Sequence, residues 1–137
     1  MERTLIIFKP DAMEQALVGR ILARFEAAHL RIVAMKMIRL DDVLLREHYA
    51  HLAERPFFGA IVAYMTSRPV VIAVLEGEGA IAVVREMTGA TDPSLAEKGT
   101  IRRDFGKDKT HNVIHSSDSQ EGARAEIKRF FKADELF

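Results

Sequence analysis

Residues 3–11 read Arg-Thr-Leu-Ile-Ile-Phe-Lys-Pro-Asp. Thr4–Phe8 is a short apolar run with charge before it and Pro10 soon after it. A run this short, closed by proline, is expected as a buried strand. Lys9 then stands at the strand's end in apolar company. From Met13 the period changes. Leu17, Val18, Ile21, Leu22 and Phe25 recur at helical spacing, with Arg20, Arg24 and Glu26 between them, which predicts an amphipathic helix. Arg31–Leu40 is rich in Ile, Val and Met and reads as a second strand.

The same reading extends to the C-terminal half. Asp41 or Asp42 caps a helix with Leu44, Leu45, His48 and Leu52 on its apolar side, and Pro56 ends it. A short helix is expected over 60–66 and a buried β-branched strand over Val70–Leu75. Residues 79–88 read as a helix with Ile81, Val84 and Met87 inward and Gly89 as its stop. Residues 89–111 are a long polar stretch with almost no apolar period, of the kind that more often serves function than connection. Asn112–His115 reads as a last short strand, and Ser119 caps a final helix carrying Ile127, Phe130 and Phe131. The fold class is therefore α+β: a ferredoxin-like βαββαβ sandwich, its helices on one face of a four-stranded antiparallel sheet. Residues 1–137 form a single domain, without internal repeats.

Composition narrows the function classes. Hydrophobic residues make up 48 %, which excludes wholesale disorder. Twenty basic and twenty acidic residues cancel, so no nucleic-acid coat is expected. There is no cysteine, which removes disulfides and thiolate metal sites. No signal peptide or membrane span is visible, and a cytoplasmic protein is expected.

Four groups of residues could carry chemistry. His111 and His115 are four apart, the spacing of a helical metal pair. Val113-Ile114 favours a strand instead, where that spacing separates the rings by roughly 13 Å. His115, Ser117 and Asp118 hold the side chains of a hydrolytic triad, but triad members converge from separate segments. Gly77-Glu78-Gly79-Ala80-Ile81-Ala82 fits a dinucleotide fingerprint, yet a polar stretch follows its helix where a second parallel strand is required, so a tight turn is the plainer reading. The fourth group is Lys9, Arg85, Arg102 and Arg103, which make a phosphate clamp if they converge. Phe57-Phe58 then offers a ring on which a base can stack.

Several blocks in order resemble the nucleoside diphosphate kinase family over nearly the whole chain. They are Arg-Thr-Leu-Ile-Ile-Phe-Lys-Pro-Asp at 3–11, Glu-His-Tyr-Ala-His-Leu-Ala-Glu-Arg-Pro-Phe-Phe at 47–58, and Val-Arg-Glu-Met-Thr-Gly-Ala-Thr-Asp-Pro at 84–93. Gly-Thr-Ile-Arg-Arg-Asp-Phe at 99–105 and Asn-Val-Ile-His-Ser-Ser-Asp-Ser at 112–119 complete the set. The resemblance implies ping-pong transfer of a γ-phosphate from ATP to a nucleoside diphosphate through a phosphohistidine on His115. It implies that Lys9, Arg85, Thr91 and Arg102 contact phosphates, that Tyr49 and Asn112 line the site, and that Phe57 and Ile61 hold the base. Glu126, helped by Ser117, would orient the imidazole. Mg²⁺ would ride on the nucleotide's phosphates, with no ligand from protein side chains. The family assembles dimers into tetramers or hexamers. Ser116 stands where glycine is common, His111 where arginine is, Lys109 where a small apolar residue is, and Ile61 where leucine is usual. If position 116 needs a positive φ, Ser116 is strained there. The alternative function is a noncatalytic ferredoxin-like module that binds a nucleotide or RNA. Such sheet-face readers carry exposed aromatics on adjacent strands, and here Thr4–Phe8 and Val70–Leu75 offer only Phe8.

Overall fold

In a computed structural model that describes residues 1–137, the opening run is the strand around which the others assemble. β1 (Glu2–Phe8) pairs on one side with β3 (Val70–Gly77), from Glu2↔Gly77 to Phe8↔Val71. On its other side it pairs with β4 (Ile114–Ser116), as Ile6↔Ser116, Ile7↔His115 and Phe8↔Ile114. β2 (Arg31–Ile38) flanks β3, with a bulge between Ile32 and Ala34. The order β2-β3-β1-β4, antiparallel throughout, is the ferredoxin-like arrangement expected from the sequence.

Successive residues of β1 point to opposite faces, and both faces are buried. Ile6 and Phe8 join a core with Ile21 and Phe25 of α2 (Val18–Ala27), Val84 of α5 (Ala80–Thr88) and Ile101 of α6 (Ile101–Phe105). Leu5 and Ile7 join a second core with Leu45 of α3 (Asp42–His48), Phe58 and Met65 of α4 (Phe58–Met65), and Phe130 of α7 (Gln120–Phe130). Helices thus cover both faces, not one. The unbroken run Leu5–Phe8, apolar without alternation, is what a strand buried on both sides requires. Burying each large side chain contributes roughly 1.5–3 kcal/mol. A nucleic-acid platform on the sheet face is absent for the same reason.

Two other expectations change in detail. The first helical stretch divides into α1 (Pro10–Glu14) and α2, with Ala16 between them at φ 55°. The polar stretch 89–111 holds a 3₁₀ turn at Pro93–Leu95 and α6, which buries Ile101 and Arg102. Five residues are too few to show a period, but Thr100 marks the start of α6 by accepting a hydrogen bond from the Arg103 N–H at 3.3 Å.

The end of β1 sets the geometry of the next strand. β4 begins at Ile114, not Asn112, because Val113 turns the chain at φ 66°. A β-branched residue in this region is an outlier, costing roughly 1–3 kcal/mol. Two hydrogen bonds hold it there. The Lys9 N–H donates to the Val113 carbonyl at 2.9 Å, and the Val113 N–H donates to Asp11 Oδ2 at 3.1 Å. Val113 is completely buried, so neither backbone group has water to turn to. Asp11→Ala leaves that N–H unpaired and should lower stability by about 1–3 kcal/mol in urea unfolding. A change within ±0.5 kcal/mol, roughly the range of a neutral surface substitution, would show that the bond does not hold the turn.

Candidate active site

The kink at Val113 places Asn112 on one side and His115 on the other, both against a cavity of ≈ 250 Å³. Lys9, Tyr49, Ile61, Thr91, Arg102, Asn112 and His115 all line it. Seven residues expected from the sequence therefore converge from six segments of the chain. Ser117 and Glu126 stand behind His115. Arg85 and Phe57 do not line the cavity. Arg85 donates to the Ser116 carbonyl at 3.3 Å. Phe57 is half exposed, one helical turn before Ile61. Arg103, grouped with the clamp on sequence alone, turns away to donate to the Ser94 and Ala96 carbonyls. Two larger clefts, of ≈ 490 and ≈ 500 Å³, lie along the start of β1 and contain neither His115 nor Lys9. Convergent polar groups, not volume, single out the smaller one.

The imidazole of His115 is fixed on one edge. Its Nε2 lies 3.0 Å from Glu126 Oε1, and the Ser117 hydroxyl donates to the same oxygen at 2.6 Å. Burial alone would raise the Glu126 carboxyl. The hydrogen bonds from His115 and Ser117, with the nearby imidazoles, outweigh it and hold the group below its ordinary range. An ionised carboxylate can only accept. The proton of neutral His115 therefore sits on Nε2, and Nδ1 keeps the lone pair.

Cations line the same cavity as His115. Lys9 Nζ donates to Asn112 Oδ1 at 2.7 Å. Burial, then the Arg102 charge, pushes the Lys9 ammonium down to about 8. Arg102 is buried and donates to the carbonyls of Ile114 at 2.7 Å, Gly89 at 3.2 Å and Asn112 at 3.4 Å. Burial, with Arg85 nearby, brings it down to about 10. Both groups have lost water and lie near another cation, Lys9 near Arg102 and Arg102 near Arg85.

Some of the site was not anticipated. His48, assigned only to an apolar helix face, packs edge-on against His115 with ring centroids 4.6 Å apart. Burial, then His115, pushes His48 down to about 3, so it is neutral. Arg129 donates to His48 Nδ1 at 3.0 Å, which leaves the proton on Nε2. His48, His115 and Glu126 bring three ligand-type atoms within 4.8 Å of one another. Each is already committed: His48 Nε2 carries a proton, and His115 is bound to Glu126. Asp11 and Tyr64 are the other additions. The Asp11 N–H donates to the Tyr64 hydroxyl at 3.1 Å, and Tyr64 lines the cavity. Ser116 is not strained. It lies in β4 opposite Ile6 with no positive φ, and its buried Oγ has no partner. His111 and His115 share no partner: His111 faces Asp108 and His115 faces Glu126. Gly79 at φ 57° precedes α5, and a Cβ on Gly77 would meet Leu30 at 2.9 Å, so the glycine pair makes a tight turn.

Residues 2–136 match the family described as Nucleoside diphosphate kinase. The chain is 55 % identical to the nucleoside diphosphate kinase of Pyrococcus horikoshii, over 99 % of this chain and 88 % of that protein. It matches the crystal structure of the Aquifex aeolicus nucleoside diphosphate kinase with a TM-score of 0.94 at 50 % identity, covering 99 % of both chains. A halophilic nucleoside diphosphate kinase from Halobacterium salinarum, in complex with CDP, matches with a TM-score of 0.95 at 43 % identity, over 99 % of this chain and 91 % of that one. With the family's fold and about half of its residues shared along 99 % of its length, this chain belongs to the nucleoside diphosphate kinase family and is a phosphotransferase.

Proposed function

We propose that the chain transfers the γ-phosphoryl group of ATP, or of another nucleoside triphosphate, to a nucleoside diphosphate through a phosphohistidine on His115. The observation that carries this reading is the lock on Nε2, which leaves Nδ1 as the only nitrogen of the ring able to attack. In the first half-reaction the Nδ1 lone pair forms a bond to Pγ. The Pγ–O bond to the β-phosphate breaks, and its electron pair leaves with the diphosphate. In the second, a terminal oxygen of the incoming diphosphate attacks phosphorus and the P–N bond returns its pair to Nδ1. The developing imidazolium is matched by Glu126 through Nε2.

Phosphoryl transfer is catalysed mainly by positioning and fixed charge. Lys9, Arg102 and Thr91 meet the phosphates, with Arg85 swinging in from Ser116. Tyr49 steadies the group in transit. Asn112 reaches the sugar and holds Lys9. Phe57 stacks on the base beside Ile61; stacking accepts any ring, so the base is only loosely selected. No carboxylate lines the cavity, so the site suits a Mg²⁺ ion carried by the nucleotide's own phosphates, which supplies charge neutralisation there. An RNA-binding reading lacks support because both sheet faces are covered.

The working form is a homotetramer or homohexamer built from dimers. Edge strand β2 exposes Met35 and Met37, a surface that a second copy would cover. No helix is long and apolar enough to cross a membrane, which fits a cytoplasmic enzyme.

Two measurements test the reading. γ-Labelled ATP with Mg²⁺ should leave an acid-labile, base-stable label on the protein and none on His115→Gln. Equal labelling of the variant would sink the assignment. The Lys9 group gives a second test. It is held at about 8 in the free protein and regains its proton beside a polyphosphate. Above that value ADP binding should therefore take up a proton, read by calorimetry in two buffers of different ionisation enthalpy. Lys9→Gln should abolish the uptake; a wild-type protein showing none would contradict Lys9 as a phosphate contact.

A further inference from the structure

His111 and Asp108 close a tight turn beside the cavity without lining it. Asp108 Oδ1 accepts from the His111 N–H at 2.7 Å, from the Thr110 N–H at 2.9 Å, and from His111 Nδ1 at 3.0 Å. The Lys107 N–H donates to the His111 carbonyl at 2.7 Å and shuts the base of the turn. These donors hold the Asp108 carboxyl down at about 2, the backbone N–H of His111 contributing most. On its other side the His111 ring meets the edge of Tyr64, centroids 4.7 Å apart. Tyr64 in turn accepts from the Asp11 N–H, so the ring is braced against the segment that grips Val113.

The turn fixes the carbonyl of Lys109. Asn112 Nδ2 donates to that carbonyl at 3.1 Å and to the Thr91 carbonyl at 3.0 Å. With both amide protons held, the Asn112 Oδ1 can point only one way, and it receives Lys9 Nζ at 2.7 Å. The link therefore runs along the backbone from the Asp108–His111 turn to Lys109, and from the Lys109 carbonyl by hydrogen bonds through Asn112 to the ammonium.

We infer that the Asp108–His111 turn is a positioning device for the phosphate site, setting through Asn112 where the Lys9 ammonium stands. This rests on the phosphotransfer reading of the site. His111 serves as a flat donor that bonds Asp108 and packs on Tyr64 at once. Arginine would offer the same two contacts, a donor fork for the carboxylate and a planar face. Leucine offers neither.

The test is a double-mutant cycle on the full chain, with kcat/KM for the diphosphate and thermal stability read together. His111→Leu should lower kcat/KM by about tenfold, within the roughly 100-fold that a misplacement of about 1 Å can cost, and Asp108→Asn should do the same. His111→Arg should stay within about twofold of wild type, because the contacts persist. In a Lys9→Gln background His111→Leu should cost less than about twofold, since coupled residues are not additive. A merely structural turn would lower the melting temperature and leave kcat/KM unchanged in the folded protein, which overturns the inference. So would losses that multiply independently of Lys9. If wild type labels on His115 and the cycle is additive, only this inference fails. If wild type does not label, the phosphotransfer reading fails, and this one with it.

Discussion

Everything in the site hangs on the grip of the first strand's end upon Val113. Lys9 and Asp11 seize its carbonyl and its N–H, and the price is a β-branched residue in the left-handed region. The strain persists because the surroundings over-determine it. The Val113 side chain is buried in the core that includes Ile6 and Phe8 of β1, and both its backbone groups are paired. Were the chain to relax into a regular strand from Asn112, Asn112 would lose its position beside Lys9. A strained residue persists only where its surroundings over-determine it, and it commonly marks function.

The same strand explains the electrostatics. β1 delivers Lys9 from the end of its buried apolar run Leu5–Phe8, so the ammonium loses water and sits close to the buried Arg102. At rest Asn112 and three backbone carbonyls partly compensate these cations. Carbonyl dipoles are weaker partners than phosphate oxygens. The cavity therefore holds these cations with no carboxylate in its lining, while Glu126 fixes one edge of the His115 imidazole; on the proposed reading a polyphosphate relieves the first and His115 attacks it. In the proposed reaction, binding falls to the cationic lining of the cavity and activation to Glu126, which stands behind His115 outside that lining.

Much of this was legible in the residues. Strand and helix periods gave the βαββαβ order, and Lys9, Arg85, Arg102 and His115 drew attention as candidate chemistry, while the role of Asn112 came only with the family resemblance. Three features were harder to see. Whether one or both sheet faces are covered depends on reading Leu5–Phe8 as unalternating, a signal only four residues long. The turn at Val113 is hidden because nothing about valine announces a positive φ; its cause lies about a hundred residues away in Asp11. His48 looks like any core histidine until Arg129 and His115 are placed around it by packing. Side-chain partners distant in sequence leave no local pattern.

The central claim is that the proton on Nε2, held by Glu126, makes Nδ1 the attacking atom. The most direct measurement is phosphorus NMR of the trapped intermediate, compared with the two isomers of phosphohistidine prepared chemically. A phosphoryl group on Nδ1 of His115 is the predicted result. A phosphoryl group on Nε2, or on a carboxylate, would contradict the account, because the atom shown bonded to Glu126 would then be the one that reacts.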